Sequence, residues 1–282
     1  MGRIPKIIHK VFLQHSSEMV AIDHLAEGQK EALESWRVHN PEYEIRYYTH
    51  ADCVWYLRTH FGSRYVDAYL KLKPLAFRCD FFRYCVVYQE GGWYSDWKQV
   101  AMQSLDAMNP FEKDLVFFKD KGNLHSFQHA LVINGLFGAA PRNPVLFTAI
   151  RMCLENIEKE RMGTNALYVT GPGVFTAAVF YQLEKLENNT EATHATACID
   201  PSFPQPTGAF LKDDVTNLYF IYVQNAPVVL NKHQELSQNQ DWKATGNNYV
   251  HMWDKKDIYT TKSRIVAMQG FVTHPEPTMA CV

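Results

Sequence analysis

The stretch LAFRCDFFRYCVVYQEGG, residues 75–92, constrains the chain most. Leu75, Phe82, Cys85, Val86 and Tyr88 supply an apolar helical face, and Gly91-Gly92 supplies the stop that suits a helix C-terminus. The next segment, WYSDWKQVAMQ (93–103), reads as a strand. A helix that hands over to a strand through two glycines belongs to an α/β unit, in which the helix covers a sheet. Ligands of open α/β sheets gather where strands end. Three charged residues converge on such an edge: Asp80 and Arg83, neighbours at i and i+3, and Asp96 beyond the glycines. Read alone, Asp80 and Arg83 are a solvated intrahelical ion pair worth about a few tenths of a kcal/mol. At a sheet edge the same pair suits a ribose hydroxyl and a phosphate, because the acid accepts from hydroxyls and the guanidinium forks onto oxygens.

The rest of the chain fits one α/β domain. IPKIIHKVFLQ (4–14) is a near-continuous apolar run expected to form a buried parallel strand. Helical spacing of Ala32, Leu33 and Trp36 predicts a helix that ends at Asn40-Pro41. YEIRYYT (43–49) reads as a second strand, and two short helices follow, one closed by Gly62 and one running to Pro74. Strand segments are expected at 114–120 and 129–141, and helices at 143–162 and 170–189, the latter launched by a glycine-proline turn. Beyond residue 190 the pattern weakens into short strands, TACID, AFLKDD and YFIYVQNAPVVLNK, then the polar-aromatic segment 247–257. Repeats, low-complexity tracts and linkers are absent from the sequence, so 1–282 is expected to be a single domain.

Composition narrows the function classes. With 282 residues, 46% of them hydrophobic and 21% charged, the chain can build a sizeable core without disulfide staples. A formal charge of −2 offers no basic field for nucleic acid. The six cysteines show no CxxC or CxxH spacing and read as reduced buried thiols rather than a zinc site or disulfide framework. No run approaches the roughly 20 apolar residues of a membrane span, and the N-terminus has too short an apolar run for a signal peptide. The expectation is a soluble cytoplasmic protein, or a soluble domain of something longer, with peripheral membrane association left open. A dinucleotide-binding GxGxxG and a P-loop are both missing.

The blocks IPKIIHKVF, ESWRVHNPEYE, AFRCDFFRYCVVYQEGGWYSD, NGLFGAAPRNP and TGPGVFTAA follow, in order, the pattern of the DXD sugar-transferase family. That family includes yeast mannosyltransferases, bacterial capsule and lipopolysaccharide glycosyltransferases and, more distantly, clostridial glucosylating toxins. The resemblance covers roughly residues 4–180. It implies a GT-A fold, with a Rossmann-like nucleotide-binding sheet (1–125, donor side) and an irregular acceptor-side region (126–282). It also implies retaining transfer of a sugar from a UDP- or GDP-type donor to a carbohydrate acceptor. By this resemblance His9, Val11 and Phe12 belong to the first strand, whose backbone and aromatic residue line the donor base pocket, and Ala76 lets the helix approach the nucleotide. Asp80 and Arg83 hold ribose, sugar and phosphate. Tyr94 lies near the donor, Asp96 is the first DXD acid, and Asn134 is placed near the transferred sugar. Gly171-Pro172-Gly173 matches a turn before a helix of the catalytic face, and His251 and Trp253 match a block that closes over the diphosphate.

One position departs from the family: Lys98 stands where the second DXD acid is expected. If the segment is a strand, Asp96 and Lys98 point to one face. A hard cation, Mn2+ or Mg2+, wants oxygen ligands, and a lysine there repels it. Three readings stay open. Lys98 itself neutralises the leaving diphosphate; or Asp96 still binds the metal with help from His251 or Asp254; or catalysis has decayed to binding. The expected function is a surface-polysaccharide glycosyltransferase, with a toxin-like protein glycosyltransferase and, if catalysis has decayed, a nucleotide-sugar- or glycan-binding protein as alternatives.

Overall fold

The computed structural model describes residues 3–13, 25, 27–109, 112–120, 131–187, 208–212, 216, 218–223, 226–231, 247–261 and 265. Strand β1 (Ile7–Val11) leads to α1 (Glu27–His39) and β2 (Glu44–Tyr48). Helices α2 (His50–His60), α3 (Ser63–Lys71) and α4 (Leu75–Glu90) then deliver the chain to β3 (Gly92–Ser95). After β4 (Val100–Ala101) and the short α5 (Leu105–Met108) come β5 (Leu115–Lys119), β6 (Val132–Ala139), α6 (Pro144–Glu158) and α7 (Pro172–Glu187). Strands β7 (Gly208–Lys212), β8 (Tyr219–Val223) and β9 (Ala226–Leu230) precede the short helix α8 (Tyr249–Asp254).

Among the described residues nine strands join one sheet in the order β2-β1-β3-β6-β5-β7-β8-β9-β4. The α/β class expected from the sequence is what the structure shows. Only part of the sheet is Rossmann-like, however: β2, β1 and β3 are parallel, while β6 runs antiparallel between β3 and β5. The C-terminal strands β7, β8 and β9 form an antiparallel ribbon that extends the sheet, so this region is more regular than its sequence pattern indicated. The ribbon's last strand pairs with β4, which only the turn 96–99 separates from β3. The sheet therefore curls back towards the end of β3. The TACID segment lies outside the described residues.

Strand β1 is buried on both faces, as a parallel strand under helices must be. Ile8 packs with Trp36, Trp93 and the β8–β9 ribbon, whereas Val11 joins the larger core of α2, α3, α4, α6 and α7. Helix α4 is not the amphipathic surface helix its pattern implied. Phe77, Arg78, Asp80 and the whole run Phe81–Val87 are buried, because α4 lies between the sheet and the other helices. Its end depends on the two glycines, which adopt φ of 71° and 94°. A Cβ on Gly92 would also lie 2.7 Å from the Ile7 carbonyl oxygen, so the tight junction of β1 and β3 has no room for a side chain there.

Candidate active site

The charged group of α4 sits inside the protein at the end of β3. Asp80 and Arg83 expose only 8% and 5% of their surface, which overturns the solvated-pair alternative. Arg83 Nη2 lies 3.3 Å from Asp80 Oδ1 and 3.3 Å from Asp96 Oδ1, so one guanidinium bridges two carboxylates. Its Nη1 donates to the Asn134 carbonyl at 2.7 Å, and its plane lies over the Tyr94 ring at 4.3 Å. Burial alone would lower its pKa, but Tyr94, Asp96, Cys79 and Asp80 around it hold it well above the usual value. Asp96 keeps a side chain 42% exposed, which makes it the acid of this cluster that solvent reaches.

The sheet holds these groups in place. Asn134, in the middle of β6 rather than on a loop, donates from Nδ2 to Asp80 Oδ1 and to the Tyr84 hydroxyl, both at 2.8 Å. Thr170 donates to the other oxygen, Oδ2, at 3.2 Å. Thr170 immediately precedes the Gly171-Pro172-Gly173 turn, so that turn is a wall of the Asp80 site as well as a helix start. Tyr94 donates its hydroxyl to Asp96 Oδ1 at 2.9 Å. The Asp96 amide donates to the Gly135 carbonyl at 2.8 Å, and a Cβ on Gly135 would come within 2.8 Å of Asp96 Oδ2. β6 can pass beneath the carboxylate only because that residue is glycine.

The expected strand 93–103 is interrupted. β3 ends at Ser95, Trp97-Lys98 form a turn closed by the Gln99 amide on the Asp96 carbonyl at 3.0 Å, and β4 begins at Val100. Asp96 and Lys98 are thus not strand neighbours on one face. Lys98 Nζ lies over the Trp97 ring at 5.0 Å, and Trp97 meets Phe12 edge-on at 5.0 Å. Phe12 and Trp97, both half-buried, flank Asp96 where β1 and β3 end.

Other expected donor residues separate into two groups. The His9 ring is fully buried, bonded to the Tyr48 hydroxyl at 3.0 Å and the Gly91 carbonyl at 2.9 Å. Burial pushes it down to about 4, so it is a neutral tie between β1, β2 and the glycine stop. Val11 is a core side chain. Alternation along β1 places the His9 and Val11 side chains on one face of the strand. Ala76 is half-buried and shares the α4 face of Asp80 and Arg83 at i, i+4 and i+7.

The C-terminal block packs against the start of α4, with Asn247 accepting from the Leu75 amide at 2.9 Å and Tyr249 against Phe77. Trp253 donates its Nε1 to the Met162 carbonyl at 2.6 Å, and His251 is exposed. No hydrogen bond or ion pair among the described residues joins His251 or Asp254 to Asp96, and no three His, Cys, Asp or Glu side chains gather there as a metal set. Among the described residues the solvent-reached carboxylate at this edge is Asp96, which already faces Arg83; a hard cation held there would take most of its oxygen ligands from a phosphate-bearing ligand and water.

Sequence reasoning missed Lys10, Ser95, Gln99 and Trp36 behind the turn. Lys10 Nζ is buried and donates to Ser95 Oγ at 3.0 Å, and Trp36 Nε1 donates to the Gln99 carbonyl at 2.7 Å. A charged residue inside an apolar run was the available signal. Of the cysteines, Cys53, Cys79, Cys85 and Cys153 are free thiols; Cys198 and Cys281 lie outside the described residues.

The electrostatics give one direct expectation. Burial pushes Asp80 up to about 6, against the lowering effects of Arg83, Asn134 and Thr170. Its carboxylate is therefore present above that pH and lost below it. The pH profile of donor hydrolysis should show an acid limb near pH 6. Asn134→Ala removes a hydrogen bond to the charged form and should move the limb upward. A limb that does not move would take Asp80 out of the titration.

Residues 26–115 match the family model described as the glycosyltransferase sugar-binding region containing DXD motif. This segment holds Asp80, Arg83 and Asp96. No curated protein matched the chain. Among solved structures the chain is similar to the PaToxG glycosyltransferase, with 16% identity over 66% of this chain and 73% of that one and a TM-score of 0.48. It is also similar to the UDP-bound glycosyltransferase domain of the YGT toxin, with 9% identity over 67% and 78% and a TM-score of 0.44. Among the described residues no helix is long and apolar enough to cross a membrane.

Proposed function

We propose that the protein is a retaining GT-A glycosyltransferase that moves a hexose from a nucleotide-sugar donor to a hydroxyl of a carbohydrate acceptor, in the synthesis of a surface polysaccharide. The observation that carries this reading is the Arg83 bridge between buried Asp80 and solvent-reached Asp96, within the segment that matches the sugar-binding region. The nucleotide lies along the ends of β1 and β3, with Phe12 against the base. Asp80 and Asn134 order the ribose and sugar side, and Asp96 faces the diphosphate.

In the transfer, the bond from the anomeric carbon to the diphosphate oxygen breaks and its electron pair leaves with the diphosphate. The acceptor oxygen forms the new bond on the same face, and its proton leaves with the diphosphate. The transition state carries positive charge on the sugar and growing negative charge on the leaving group. Arg83 and Lys98 are the cations nearest to Asp96 on α4 and on the turn, and positive charge fixed beside a leaving group is where catalysis gains most.

The test is donor hydrolysis across a panel of nucleotide sugars, with Mn2+ or with EDTA. Turnover of one donor is expected to survive EDTA and to fall by about 10²-fold in Lys98→Ala. Turnover lost in EDTA would return the leaving-group role to a cation. No binding of any nucleotide sugar would sink the glycosyltransferase reading.

A further inference from the structure

Lys10 is among the largest fully buried side chains of the protein, and among the described residues no ion pair forms with it. Its ammonium lies 4.4 Å from the Trp36 ring centre, donates to Ser95 Oγ at 3.0 Å and reaches the Asp96 carbonyl at 3.4 Å. A buried charge held by neutral partners costs stability that an apolar side chain of equal length would not. The contacts share one destination. The Asp96 carbonyl also receives the Gln99 amide at 3.0 Å and the Ser95 hydroxyl at 3.3 Å. The Ser95 hydroxyl is within 3.0 Å of Gln99 Oε1, and Trp36 holds the Gln99 carbonyl. Lys10 thus clamps the start of the turn 96–99 and Trp36 clamps its end.

We propose that Lys10 is a positioning residue of the donor site, fixing the turn that presents Asp96 and Lys98 to a nucleoside diphosphate. This rests on the glycosyltransferase reading. Burial pushes Lys10 down to about 7 against the opposing pull of the Asp96 carboxylate, and the proton it holds bonds the Ser95 hydroxyl and the Asp96 carbonyl from beneath the turn. A misplacement of about 1 Å in such a group can lower turnover by about 10²-fold.

The test uses UDP and GDP binding by calorimetry, donor hydrolysis and thermal melting on the full chain. Lys10→Met keeps the length and removes the charge. It should melt at the same temperature or several degrees higher, yet bind the nucleotide at least about tenfold more weakly and lose kcat in larger proportion than KM rises. Lys10→Gln restores an N–H donor and should recover part of both. Lys10→Met that binds and turns over like the parent overturns the inference while leaving the donor site intact. Lys10→Met that loses binding only in step with a lower melting temperature makes the residue structural and overturns it too. A parent protein that binds neither UDP nor GDP overturns the donor-site reading and the inference with it.

Discussion

Arg83→Met is expected to lower the melting temperature by about 10 °C, corresponding to about 3–5 kcal/mol for breaking a buried ion pair in a chain of this size. The guanidinium is 6% exposed and lies within 3.3 Å of both Asp80 and Asp96. Methionine fills much of the space but leaves Asp80 a buried carboxylate with only Asn134 and Thr170 as donors. The sign of the pH dependence follows. Asp80 already sits at about 6 in the folded protein, above its unfolded value of about 3.9. Such a group destabilises the fold as pH rises through the folded value and ceases to do so as pH falls towards the unfolded one. Losing Arg83 removes an interaction that favours the charged form, so Asp80 rises further and the destabilised window widens upward. The difference in melting temperature between the parent and Arg83→Met should therefore be largest near pH 8 and shrink towards pH 5. A difference that does not change with pH would show that Asp80 is not the group left uncompensated.

The same residues show what the sequence made legible. Helix α4, its glycine stop and the meeting of Asp80, Arg83 and Asp96 follow from local rules: 3.6-residue spacing, positive φ at glycine, and ligand sites at strand ends. The turn at Trp97-Lys98 did not follow from them. Alternation and β-propensity continue through 93–103, and the strand is broken by tertiary bonds from Lys10 and Trp36, which lie far away in sequence. Burial of α4 on nearly all sides was hidden for a related reason. Arg78, Asp80 and Arg83 lower its apparent apolarity, yet each is satisfied by groups from other elements, such as the Leu72 carbonyl for Arg78. Asn134 lies in the strand expected at 129–141, but its bonds to Asp80 and Tyr84 come from distant elements, and β6 uses Gly135 to pass under Asp96. The late His251–Trp253 block is matched only through the family resemblance, and its tryptophan hydrogen-bonds to the segment after α6, a tertiary contact that no local pattern announces.

Asp96→Asn should separate chemistry from stability more cleanly than any other change. The side chain is 42% exposed, and asparagine keeps an oxygen for the Tyr94 hydroxyl. The melting temperature should move by no more than the effect of about 1 kcal/mol typical of an exposed charge pair. Turnover of the nucleotide sugar should fall by about 10²–10³-fold, the scale seen when one preorganised electrostatic contact to a developing charge is removed. The change also tells which charge matters. On the proposed reading, removing the Asp96 carboxylate leaves Arg83 and Lys98 to meet a diphosphate with one negative charge fewer beside them, so binding of UDP or GDP in EDTA should hold or tighten while turnover drops. That split, tight binding with slow transfer, is the mark of a carboxylate that acts on the sugar or orders the charges around the leaving group in the transition state. Asp96→Asn that loses binding and turnover together in the presence of Mn2+, and is indifferent in EDTA, would instead make Asp96 a ligand to a cation. Asp96→Asn that turns over within threefold of the parent would remove the acid from the reaction and leave the Arg83 bridge a structural feature of the fold.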